Sequence, residues 1–179
     1  MVSPFLYFPG ERLSLTELTA ACLDGLLTPI GEGFMPADAV ETTWMRARSL
    51  APLLGDRWAA VRASAAWVHG GIVLEPTRHH VQRASAERTR PVRWAGVISH
   101  DVRVPPGDVV TIAGVQVTSP GRTLVDLARS ADADDIAAAS SWGVASPELV
   151  ADARAWIARH PRFPYGRRAD EVLASVGSP

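Results

Sequence analysis

Five histidines offer the first chemistry to weigh, since imidazole can hold a metal or move a proton. His79 and His80 are neighbours on a predicted strand and point to opposite faces. His69 and His100 each stand among apolar residues, with no cysteine or glutamate at a ligand spacing, and read as buried, hydrogen-bonded groups. "ADADD" (131–135) offers Asp132, Asp134 and Asp135 to a divalent cation. Its stronger reading is local: Asp132 caps the next helix, and the other two sit where the helix dipole favours negative charge. No G-x-S-x-G, H-E-x-x-H or glycine-rich phosphate loop is present, so no catalytic residue, metal ligand or cofactor site is expected.

All 18 basic residues are arginine. The absence of lysine removes Schiff-base chemistry, the P-loop and the carboxylate–lysine nuclease site. The charge is unevenly spread: residues 1–60 carry a net −3, and 61–110 hold seven arginines against four acids. Arg78, Arg83, Arg88, Arg90 and Arg93 fall within 16 residues, opposed only by Glu87. Any attraction to nucleic acid therefore belongs in the middle of the chain. Arg159, Arg162, Arg167 and Arg168 form a second cluster beside Phe163 and Tyr165. Arginines near aromatics can grip phosphates and stack on bases, although a charge run equally reads as a solvated face.

The elements that must position these groups follow from patterning. At 179 residues, 47% hydrophobic and 21% charged, the composition is that of a soluble globular protein. No apolar run approaches the ~18 residues of a membrane span, and residues 4–8 lack the flanks of a signal peptide. Cys22 is the only cysteine, which excludes an internal disulfide and makes the cytoplasm the default location. Ser14 and Glu17 form a capping box for a helix over 14–26, with Leu15, Leu18, Cys22 and Leu26 as its apolar face. A hairpin follows at 26–37 with Gly31 and Gly33 in its turn, then helices over 42–55 and 62–69, the last closed by Gly70-Gly71. Strands are predicted over 79–84, 97–104, 108–112 and 115–118. In 97–104, Ile98, His100, Val102 and Val104 share one face. Helices then fall at 119–131, capped by Ser119, and at 133–142, 147–159 and 167–176. Arg122 stands out as a cation in a first helical turn, where the dipole favours an anion.

"SAAWVHGG" (64–71), the strand with His100, and "VTSPGRTLVDLAR" (117–129) together resemble the AbiEi-type antitoxin family of type IV toxin–antitoxin systems. The order and spacing match too, from a helix-hairpin start ending in "GFMPAD" to the arginine-threonine-leucine helix. The resemblance implies a promoter-binding N-terminal winged helix and a C-terminal domain that opposes a nucleotidyltransferase-like toxin. It also makes Ser64, His69, His100, Arg122 and Asp126 signature positions, read as structural. Arg122 has Asp126 one turn later and could also bind carbonyls at strand ends, bridging helix and sheet.

Two departures from the family shape the expectation. Only 13 residues precede Ser14, too few for the helices that support a winged helix, and the following helix carries Glu17 and Asp24 but no arginine. An acidic helix is a poor reader of phosphates, so DNA contact is expected at Arg78, Arg83, Arg88, Arg90 and Arg93 instead. The chain also stops at "SVGSP", about where many relatives continue into a nuclease-like domain, so the form without that domain is expected. The expected architecture is α+β: a truncated, degenerate winged-helix-like segment over 1–60, then an AbiEi-like antitoxin domain over 61–179, a small mostly antiparallel sheet packed with helices. The expected function is a non-enzymatic, cytoplasmic antitoxin or transcriptional regulator, with a nucleotidyltransferase-like toxin and double-stranded DNA as partners. Two alternatives stay open: a protein-interaction module without DNA binding, and the recognition half of a split nuclease.

Overall fold

The computed structural model describes residues 5–86 and 95–176. The capping box forms as the sequence predicts: Glu17 N–H donates to Ser14 Oγ at 3.3 Å, and Ser14 N–H donates to Glu17 Oε2 at 2.7 Å. It opens α1 (Leu15–Leu23). The apolar face expected there is only partly buried. Leu18 is buried and Cys22 is half-buried, while Leu15 lies in solvent; the helix stops at its Asp24 cap, short of the predicted residue 26, so the exposed Leu26 is no part of it. The hairpin follows as β1 (Leu27–Ile30) and β2 (Gly33–Pro36), antiparallel, with Gly31 in the turn at φ +51°. A side chain at Gly31 would strike the Ser49 side chain, so both the backbone and the space require glycine.

The helix expected over 42–55 is two helices, α2 (Thr43–Ser49) and α3 (Ala51–Leu54). Pro52 explains the break: inside a continuous helix its ring would meet the carbonyl of Arg48, whereas near the start of α3 its missing N–H costs nothing. β3 (Trp58–Ala60), which the pattern did not suggest, comes next and is the central strand of the larger sheet. α4 (Arg62–His69) ends at Gly70 in the left-handed conformation, as its glycine pair predicts.

β4 (His79–Arg83), β5 (Val97–His100), β6 (Val109–Ile112) and β7 (Val115–Thr118) join β3 in the order β5-β4-β3-β7-β6. The pairing is evenly mixed: β4–β5 and β3–β7 are parallel, while β3–β4 and β6–β7 are antiparallel. β5 is shorter than the predicted 97–104. Beyond His100 the chain leaves the sheet, so Val102 is 73% exposed while Val104 is fully buried on a hydrogen bond to the Arg83 carbonyl. The face predicted to unite Ile98, His100, Val102 and Val104 therefore ends at His100.

α5 (Pro120–Ala128), α6 (Ala133–Ala145), α7 (Pro147–Arg159) and α8 (Gly166–Val176) complete an α+β fold with, among the described residues, eight α-helices and seven strands. Asp132 caps α6 through Asp134 N–H at 2.9 Å, as its position predicts. Ser119 stands at the N-cap of α5 but makes no side-chain cap; Thr123 Oγ1 instead donates back to the Ser119 carbonyl at 2.8 Å. One apolar core joins Ile30 and Met35 of the hairpin to Val81, Val97 and Val117 of the sheet, so it runs continuously across residue 60. A second core gathers α5 to α8, and α4 lies between them, giving Trp67 and Val68 to the first and Ala66 to the second.

Candidate functional site

Arg122 lies in the first turn of α5 yet is only 3% exposed. Its position there is explained by where its five donors go. Nε donates to Asp126 Oδ2 at 3.0 Å, one turn along, and Nη1 donates to Asp108 Oδ2 at 2.5 Å. Asp108 immediately precedes β6, so the arginine ties helix to sheet through a carboxylate and not through the strand-end carbonyls suggested by the sequence. Trp156 of α7 completes the group: its indole N–H donates to Asp108 Oδ1 at 2.7 Å, and the Arg122 guanidinium lies 4.9 Å from its ring and 4.7 Å from that of Phe163. Arg129 Nε donates to Asp126 Oδ1 at 2.8 Å, so two arginines face two carboxylates. The arrangement is neutral, its buried side-chain nitrogens and oxygens all have hydrogen-bond partners, and of its charged side chains only Arg129 reaches solvent. It can join β6, α5 and α7, and it leaves no free group to attack, protonate or bind a substrate.

Ser64, from the middle of α4, makes a second link. Its hydroxyl accepts from His80 N–H at 2.8 Å and lies 3.2 Å from His79 Nδ1. His79 Nε2 reaches Glu75 Oε1 at 3.1 Å, and Glu75 Oε2 accepts from Gly31 N–H at 2.9 Å. The chain of contacts runs from helix to strand to hairpin. Burial opposes ionisation of Glu75, but the bonds from His79 and Gly31 outweigh it and hold its carboxyl below the usual range. His69 Nε2 donates to the Thr118 carbonyl at 2.7 Å and its ring stacks on Trp142, while burial keeps its pKa low despite that bond.

His80 and His100 meet across the parallel pair β4–β5, their rings stacked and His80 Nδ1 3.2 Å from His100 Nε2. Burial first, then Arg62 and His80, push the His100 pKa down to about 4. His80 is lowered as well, chiefly by burial, with Asp135 pulling the other way. A histidine normally titrates near 6.5, so between pH 6.5 and about 4 the unfolded chain takes up protons that folded His100 refuses. The stability due to neutral His100 is thus complete above pH 6.5 and is lost as the pH falls toward 4. His100→Asn is expected to flatten that acid limb in a series of thermal melts; an unchanged pH dependence would show that His100 does not contribute to it.

The middle arginine cluster is only partly within the described residues. Arg78, before β4, is exposed and donates from Nη2 to the Val97 carbonyl at 3.3 Å; Arg83 ends β4 and is half-buried. Arg88, Arg90 and Arg93 lie outside the described residues. At the other cluster Arg159, Arg162, Arg167 and Arg168 are all exposed, beside a Tyr165 that is 72% exposed. Asp132, Asp134 and Asp135 stay at the start of α6, and among the described residues no three His, Cys, Asp or Glu side chains are grouped to hold a metal. No described helix is long and apolar enough to cross a membrane. The sequence reading missed Asp108 and Trp156. Asp108 was legible only as part of the turn Pro105–Asp108, and Trp156 only as an apolar residue of α7.

The model of the AbiEi antitoxin C-terminal domain matches residues 58–157, from the start of β3 into α7, which takes in Asp108, Arg122, Asp126, Arg129 and Trp156 as well as Ser64, Glu75 and His79, while Phe163 and Gly31 lie outside it. The chain belongs to the AbiEi antitoxin family. Among solved structures it is similar to the RV2827C protein from Mycobacterium tuberculosis, at 20% identity and a TM-score of 0.48. That likeness covers 92% of this chain and 66% of the other, so the chain spans just under two thirds of that protein's length. No curated protein matches.

Proposed function

We propose that the protein acts as a non-enzymatic antitoxin that opposes a nucleotidyltransferase-like toxin. The family match over residues 58–157 carries this reading. The neutral, hydrogen-bonded packing around Arg122 supports its non-enzymatic half, because this buried charged group is committed to architecture. Signature positions Ser64, His69, His100, Arg122 and Asp126 then serve the scaffold, and the antitoxin effect belongs to the surface. The test is co-expression with a nucleotidyltransferase-like toxin of such a system. Growth arrested by that protein is expected to resume when this chain is induced; continued arrest with the chain folded and abundant would overturn the reading.

A regulatory role through double-stranded DNA is the second part of the proposal. It is supported by the seven arginines against four acids in residues 61–110, whereas α1, with Glu17 and no arginine, is a poor reader of phosphates. On this reading α1 and the β1–β2 hairpin are the remnant of a winged helix, and the phosphate contacts come from Arg78, Arg83, Arg88, Arg90 and Arg93. Binding to its own promoter is expected to be weak and to fall steeply with salt. Replacing Arg83, Arg88, Arg90 and Arg93 with alanine should abolish it in fluorescence anisotropy. Loss caused by changes in residues 15–24 instead would return DNA reading to α1.

A further inference from the structure

A cleft of about 710 Å³ lies between the 71–78 segment, the strands β4 and β5, and the first turns of α6. Its lining is mostly apolar, with Ile72, Pro76, Ile98 and Ala138 among the contributors. Val73 and Leu74, also of the lining, are 80% and 82% exposed. The segment that carries them is pinned on both sides. Gly71 lies so close to the Trp142 indole that a Cβ there would strike the ring, and Glu75 is bonded to both His79 and Gly31. Pinning of this kind means that a ligand meets a formed groove and does not have to order one.

Charge selects the occupant. Asp132, Asp134 and Asp135 line one wall, and among the described residues Arg78 is the only arginine of the lining. Asp132 is engaged in capping α6, whereas neither Asp134 nor Asp135 forms an ion pair among the described residues. An anion would be repelled here, and a wholly apolar group would leave the two carboxylates without a partner. We propose that the cleft docks a segment of a partner protein in which an arginine or lysine stands next to an apolar side chain. The aliphatic stem lies over Ile72, Ile98 and Ala138, the cationic head reaches Asp134 and Asp135, and the neighbouring apolar side chain covers Val73 and Leu74. Long cationic side chains bury their stems and keep the head with carboxylates or water, which is the arrangement this groove offers.

The test titrates the whole chain with a short peptide of alternating leucine and arginine, and with the same peptide bearing glutamate for arginine, by calorimetry and by NMR. The arginine peptide is expected to bind and to shift the signals of Ile72 and Ile98. Asp134→Asn with Asp135→Asn should weaken it by about tenfold or more, equivalent to roughly 1.4 kcal/mol. Leu74→Ser should weaken it as well. The Asp132 cap is kept in both variants, and a cooperative melting transition well above the titration temperature confirms that they fold. Absence of binding, equal affinity for the double variant, preference for the glutamate peptide, or shifts confined to another surface would each overturn the proposal.

Discussion

Arg122→Ala is expected to lower the melting temperature by roughly 6–20 °C, which is what the loss of a buried ion pair, about 3–5 kcal/mol, means for a chain of this size. The magnitude comes from what is left behind. Asp108 and Asp126 are 5% and 1% exposed, and removing the guanidinium leaves Asp108 with the Trp156 N–H but no cation, and Asp126 with Arg129 alone. Arg129 still holds Asp126, so Asp108 bears most of the loss. Arg122→Lys should recover little, since one ammonium cannot donate to two carboxylates in fixed directions while lying flat against Trp156 and Phe163. Circular dichroism melts decide the matter, and a mutant melting within two or three degrees of the unsubstituted chain, by the same scale, would refute it.

Trp156→Ala should cost a comparable amount, about 3–5 kcal/mol, by emptying a site that is 7% exposed at the centre of the second core. Here the chemistry can be dissected. Trp156→Phe keeps an aromatic ring against Arg122 but removes the N–H donated to Asp108, and should cost about 1–3 kcal/mol. Because Arg122 and Trp156 share Asp108, the double substitution should fall short of the sum of the two single ones by about 0.5–3 kcal/mol in urea denaturation. Strict additivity would show that the indole, the carboxylate and the guanidinium do not act as one unit.

Much of this architecture was legible in the sequence because it is set by local rules. The Ser14–Glu17 box, the Gly70 stop and the Asp132 cap each depend on residues within one turn, and each forms as read. β3 escaped because "WAA" is three residues long, buried throughout and shows no alternation; it is a strand only because β4 and β7 flank it. The overlong β5 has the opposite cause: the valines at 102 and 104 continue a period-two pattern, but the chain leaves the sheet after His100. For the buried group, the pairing of Arg122 with Asp126 was readable at a spacing of four, whereas Asp108 and Trp156 are 14 and 48 residues from their partners. No periodicity links positions so far apart; only the approach of the turn before β6 to Arg122 of α5 and Trp156 of α7 brings them together.

The claim that the signature arginine is architecture, and that antitoxin action lies elsewhere on the domain, is tested most directly by measuring growth rescue for the unsubstituted chain and for Arg122→Ala side by side. The measurement belongs at a temperature where circular dichroism shows both to be folded, with the nucleotidyltransferase-like toxin induced. Equal rescue is the predicted result. Rescue by the unsubstituted chain and none by the folded mutant would contradict the account and make Arg122 a functional contact.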